Sequence, residues 1–179
     1  MARRLQKKEK KLLALLLLLV AFNILSIPMY LVMYFNLSFK PLQYFLALAT
    51  TKFLNALGYP VFQDGFTVVA NNFNLIEISW DSTGWKSMYT LLALGIVTPV
   101  NSWKKRMKFI CISIPAIFLL NFIRITTTIL VGLNFGFQYF EVVHTFLWRE
   151  GLILAIVCIW AAWLWNEKDN INISQYIIR

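Results

Sequence analysis

Charge is scarce in this sequence: only 14% of its 179 residues are Asp, Glu, Lys or Arg, against about a quarter in a soluble domain. With 59% hydrophobic residues, 16% aromatic and a mean hydropathy of +0.65, that shortage excludes an ordinary soluble domain and reads as an integral membrane protein. Cysteine is scarce as well. Cys111 and Cys158 both fall inside apolar runs, where cysteine usually serves as a small apolar filler. They build no disulfide framework and no metal site, and nothing else in the chain calls for a cofactor. No internal repeat and no low-complexity tract stands out beyond the leucine-rich first run. No small-x-small cleavage site closes that run either. From Leu12 to Phe35 it is about 24 residues long, well over the ~7–15 apolar residues of a signal peptide, so it is expected to be a retained first span. The length suits one compact bundle, residues 1–179, without a second domain.

What charge there is leans one way, to a net +9. The cations gather at Arg3, Arg4, Lys7, Lys8, Lys10 and Lys11, and again at Lys104, Lys105, Arg106 and Lys108. Both clusters abut hydrophobic runs, the pattern of cytoplasmic loops under the positive-inside rule. The basic balance therefore reports topology and contact with membrane lipid, and no nucleic-acid partner is expected.

Crossing a ~30 Å hydrocarbon core takes about 20 helical residues. Runs 12–35, 109–133 and 145–166 qualify, and 85–100 is shorter. Trp80, Trp85 and Trp148 fall at one set of ends and Trp103, Trp160, Trp163 and Trp165 near the other, as interfacial aromatic belts do. With residues 1–11 and 104–108 inside, residues 36–84 begin and end on the outer face. Segment 42–57 then reads as an interfacial or re-entrant helix, since one extra crossing would break the charge rule. Beyond it, runs 66–70 and 75–80, separated by the turn-like "ANNFN", read as a small external β-hairpin. The polar tail 167–179 returns to the inside. The expected fold is all-α: a polytopic transmembrane bundle of four spans, with both termini cytoplasmic, plus the interfacial helix and the hairpin.

Polar residues inside spans are costly and mark function by default. Sixteen residues separate Lys108 from Arg124, a climb of about 24 Å at ~1.5 Å per residue, which places Arg124 in the outer leaflet. Asn121, three residues earlier, shares its helical face. His144, the single histidine, opens the last span at its outer end. "DSTGWK", residues 81–86, heads the second span at the same depth. Each residue has a plainer reading: Ser82 and Thr83 as N-caps, Arg124 and Lys86 as snorkelling cations, His144 as an interfacial residue bonded to a carbonyl. Taken singly, the plainer reading prevails for all but Arg124. Together they offer a hydroxyl nucleophile, an imidazole base and a cation for a developing oxyanion.

"STGWKSM" (82–88), "NFIRI" (121–125) and His144 resemble the exosortase/archaeosortase family over roughly residues 60–160. The resemblance implies a multi-spanning membrane enzyme of the cysteine-transpeptidase type. Its substrates are surface proteins ending in a C-terminal sorting signal, namely a short motif, an apolar span and a basic tail. It also implies catalytic roles for Ser82, Arg124 and His144, with Thr83 and Gly84 completing the triplet at the head of the span. Ser82 stands where the family has its nucleophilic cysteine. A hydroxyl is not ionised at neutral pH, so Ser82 needs a base. His144 is the first candidate, with Asp81 beside the serine to orient it. Lys86 offers a serine–lysine alternative if desolvation lowers its pKa.

The expected activity is therefore a membrane protease/transpeptidase acting at the outer face of the cell membrane. One alternative is an inactive relative that binds and chaperones such tails. A small transport or assembly subunit is a third, but it predicts polar residues along a whole path, and the inner halves of the spans are nearly all apolar.

Overall fold

A computed structural model of the chain describes residues 2–70, 74–100, 102–136, 138–146 and 150–168. Helix α1 (Ala2–Tyr34) opens the fold. Its segment Leu12–Tyr34 is long and apolar enough to cross a membrane, and only 11% of an 18-residue stretch of it is buried. Leu12, Leu15, Leu19 and Ile24 stand well exposed along it. A soluble monomer rarely shows so large an apolar surface, whereas in lipid the same surface carries no penalty. The helix touches the rest of the chain chiefly through α3 (Trp85–Val97). There the Tyr89 hydroxyl donates to the Leu25 carbonyl at 2.7 Å, in the turn before Pro28.

Helix α2 (Lys40–Ala56), started by a proline in its first turn, covers the segment expected to be interfacial or re-entrant. Gln43, Leu46, Ala47, Thr50 and Leu54 form its buried face at helical spacing. That face packs under a small sheet, and here the expected hairpin needs correction. The sheet has three antiparallel strands in the order β1 (Val61–Asp64), β2 (Thr67–Ala70), β3 (Asn74–Glu77). The additional strand, β1, pairs Val61 with Ala70 and Asp64 with Thr67 across a two-residue turn. Gly65 holds its φ of +59°, as the first turn position of a tight hairpin demands. The run expected to continue to Trp80 ends as a strand at Glu77, with one more bond from the Ile78 N–H to the Phe66 carbonyl. The Ile78 carbonyl is instead taken by Gln43 Nε2 at 3.0 Å. Of the "ANNFN" turn, residues 71–73 lie outside the described residues.

A single 3-10 turn, Asp81–Thr83, then leads into α3 through Gly84. Helix α4 (Trp103–Phe135) is one helix of 33 residues, about 50 Å at 1.5 Å per residue, and it includes the cationic cluster in its first turns. It too is long and apolar enough to cross a membrane. Of the expected last span, 145–166, the described parts are helical: the end of α5 (Gln138–Phe146), a π-helical turn at 150–151 and α6 (Leu152–Asn166). His144 sits in the last turn of α5. Residues 147–149, Trp148 among them, and residues 169–179 lie outside the described residues.

Two clusters of buried side chains divide α4. Near its C-terminal half, Ile125 and Ile129 meet Leu46, Leu54, Val68 and Ile78 from α2 and the sheet. Near its N-terminal half, Phe109, Ile110 and Ile117 meet Leu91 of α3 and Leu152 of α6. Two of the cations in that half do more than signal topology. Arg106 donates to the carbonyls of Val100 and Ile96, closing the C-terminal end of α3, and Lys105 pairs with Glu167 at 2.7 Å.

Candidate functional site

The site is built where the sheet hands the chain to α3. At Ser79 the backbone turns, and the N–H of Ser82 donates to both the carbonyl and the hydroxyl of Ser79, at 3.0 and 3.3 Å. The two hydroxyls are 2.9 Å apart and share a hydrogen bond. Thr83, fully buried, donates its hydroxyl to the Trp80 carbonyl at 2.7 Å. Gly84 follows with φ +77°, a left-handed conformation that glycine adopts without a steric cost. It is the N-cap of α3 and makes no side-chain cap bond. The capping reading of Ser82 and Thr83 thus gives way to local bonds with Ser79 and Trp80.

The Ser82 carbonyl points the other way, to α4. Asn121 Nδ2 and Arg124 Nη2 each donate to it at 3.0 Å. The two side chains lie three residues apart on one helical face and are almost wholly buried, at 0% and 4% exposure. They keep capacity in reserve: Arg124 Nε and Nη1 and Asn121 Oδ1 are buried with no hydrogen-bond partner. An unpaired buried polar atom costs about 1–3 kcal/mol, more when charged, so three at one point need a reason.

Beside them lies a cavity of about 380 Å³ lined by Ser79, Ser82, Arg124, Thr128 and His144, with Glu77 and several apolar side chains completing the wall. His144 is half-buried, its ring 5.7 Å from that of Phe140. Chemically the cavity brings together a serine hydroxyl, an imidazole and a buried cation with unused donors, the kinds of group that acyl transfer uses. Among the described residues no cluster of His, Cys, Asp and Glu could hold a metal ion, and Cys111 and Cys158 are free and exposed.

Ser82, Asn121 and Arg124 are thus in direct contact, and His144 faces the same space. Asp81 and Lys86 are not brought in. They pair with each other at 2.9 Å, and neither lines the cavity. The expectation that Asp81 orients the histidine is therefore corrected: its carboxylate, at the exposed start of the 3-10 turn, meets the ammonium one helical turn on. Lys86 likewise neither hangs free toward the membrane surface nor stands against the serine. Three lining residues escaped the sequence reading. Ser79 is three positions before Ser82, a spacing that only a tight turn converts into a contact. Thr128 is one helical turn beyond Arg124, and Glu77 lies inside a run read only as a strand.

A mostly helical chain with two membrane-length apolar helices, and with Ser82, Arg124 and His144 gathered at a largely apolar cavity between sheet and helix, is a membrane protein with a candidate active centre. The transmembrane exosortase family model matches residues 8–164. The chain belongs to this family, and the match takes in α1 and α2 as well as the segment that carries the motifs. It places the chain with membrane enzymes of the transpeptidase type. Neither the curated proteins nor the solved structures contain a match to the chain.

Proposed function

We propose that this protein is a membrane-embedded peptidase/transpeptidase that cleaves C-terminal sorting tails at the outer membrane–water interface, with Ser82 as its nucleophile. The observation that carries the reading is Arg124. A guanidinium almost wholly removed from solvent spends one donor on the Ser82 carbonyl. Two further nitrogens remain unpartnered, and Ser82 and Arg124 line the same cavity.

In this mechanism Ser82 Oγ attacks the substrate carbonyl carbon while its proton passes to His144. The carbonyl π-electrons move to oxygen, and the resulting oxyanion takes hydrogen bonds from Arg124. This is the kind of preorganised stabilisation that contributes most to acyl transfer. As the tetrahedral species collapses, the C–N bond breaks and His144 returns the proton to the leaving amine. The acyl group stays on Ser82 as an ester until an amine or water attacks it. Asn121, donating to the backbone of Ser82, is a positioning residue, and so is Ser79 through its shared hydroxyl bond. The topology that goes with this reading has four crossings, both termini in the cytoplasm and the cavity outside.

A second reading, tail binding without turnover, has one observation in its favour: the Ser82 hydroxyl already has a partner in Ser79. The test is co-expression with a protein from the same genome that ends in a motif, an apolar span and a basic tail. Loss of the tail, dependent on Ser82 and Arg124, is the expected result. An uncleaved substrate that co-purifies would establish the binding-only reading.

A further inference from the structure

Strand β3 is an edge. It pairs with β2 on one side, and among the described residues no strand pairs with its other side. Unpaired edges invite another strand, and the direction in which each residue's backbone points follows from the register. The Ile78 N–H donates to the Phe66 carbonyl at 2.9 Å, in step with the Val68–Ile76 and Ala70–Asn74 pairs. Hydrogen-bonded and non-hydrogen-bonded pairs alternate along an antiparallel ladder. Ile76 therefore turns its backbone groups to β2, as does the N–H of Ile78, and Leu75 and Glu77 turn theirs outward. Both outward residues line the cavity of Ser82, Arg124 and His144. Both are also exposed, Leu75 at 70%. Beyond Glu77, Ile78, Ser79 and Ser82 line the same cavity.

Resting on the reading of this cavity as a peptide-cleaving centre, we infer that β3 is the substrate-docking strand. The extended peptide preceding the cut bond adds to its open edge, hydrogen-bonded to the backbone of Leu75 and Glu77. Strand addition of this kind takes affinity from main-chain bonds and selectivity from alternate side chains. The peptide runs parallel to β3. Its cut end must lie at Ser82, beyond the C-terminal end of the strand, so the residues before the cut extend back toward Leu75. Every second side chain of the peptide stands beside Leu75 and Glu77, and the intervening ones face the opposite side.

The test is disulfide trapping in a Ser82→Ala background in which Cys111 and Cys158 are replaced by alanine. Leu75→Cys or Glu77→Cys is combined with single cysteines along the substrate segment before its apolar span, using the co-expressed tail-bearing protein as probe. In parallel, Leu75→Pro and Glu77→Pro in the Ser82 protein each remove one outward N–H. An edge strand tolerates proline there, so a fall in processing of at least tenfold is expected with unchanged thermal stability in detergent. Trapping at every second substrate position, with Glu77→Cys reacting nearer the cut than Leu75→Cys, is the expected pattern. That pattern supports edge docking even if the Ser82 protein does not cleave. Uniform or absent trapping while the Ser82 protein cleaves normally overturns the docking strand and leaves the proposed activity standing. Absent trapping together with absent cleavage overturns both.

Discussion

Gly84 and Asn121 are packed so closely that a Cβ on the glycine would stand 2.7 Å from the Asn121 amide carbon. The contact explains how a 3-10 turn and a long helix come near enough for α4 side chains to reach the Ser82 carbonyl. It also makes Gly84 irreplaceable for two separate reasons, the positive φ and the missing side chain. Gly84→Ala is expected to cost about 2–4 kcal/mol, combining left-handed strain with overpacking. Gly58 has a φ of +88°, but a Cβ there would meet nothing within 4 Å, so Gly58→Ala should cost only about 1 kcal/mol. Thermal unfolding of the two variants in detergent compares them. Equal losses would mean that the Asn121 contact contributes nothing.

Arg124→Lys keeps a positive charge but loses the planar fork that allows one donor to hold the Ser82 carbonyl while others face the cavity. Insertion into the membrane should survive, and cleavage of a tail-bearing substrate should fall by roughly 10²–10³, the usual loss for an oxyanion donor. Retained cleavage in Arg124→Lys or Arg124→Ala would reduce the arginine to a structural tie.

Ser82 separates a nucleophile from a mere turn residue. Ser82→Ala and Ser82→Asn should abolish release of the tail. Ser82→Cys should retain or raise it and become sensitive to thiol alkylation, since a thiol ionises far more readily than a hydroxyl. The size shift of the co-expressed substrate reports all three. Full processing by the alanine variant would remove Ser82 from the chemistry.

Lys86 tests which base acts. Its pairing with Asp81, on side chains 30% and 53% exposed, is a near-surface ion pair of the sort that contributes about 0–1 kcal/mol. Lys86→Met should therefore leave stability and cleavage close to normal, whereas His144→Ala should stop cleavage. The reverse outcome would revive the serine–lysine arrangement.

Topology can be read by cysteine labelling with a membrane-impermeant reagent, in a background lacking Cys111 and Cys158. Asp64→Cys should label from outside intact cells and Ser102→Cys only after permeabilisation. Labelling of Ser102→Cys alone would put the sheet and the cavity on the inner face.

Membrane residence and the existence of the helices were determined by the sequence itself. Runs such as 12–35 and 109–133 are apolar for long enough that their burial in lipid depends on no other part of the chain. Ser82, Asn121, Arg124 and His144 were legible for a related reason: a polar group inside an apolar run has few inexpensive places to go, and helix rise alone sets Arg124 far from Lys108. Strand β1 was not legible, because four residues between Pro60 and Gly65 become a strand only when β2 supplies the ladder and α2 supplies the floor. Nor could the sequence decide partners. Asp81 lies beside Ser82 in the chain, yet the 3-10 turn delivers it to Lys86. Ser79 and Asn121, at the end of a strand run and inside a span, meet Ser82 only because Gly84 lets the turn lie flat against α4. Tertiary packing made those choices, since hydrogen bonds require atoms within about 3 Å, a precision that helical periodicity and hydropathy do not reach.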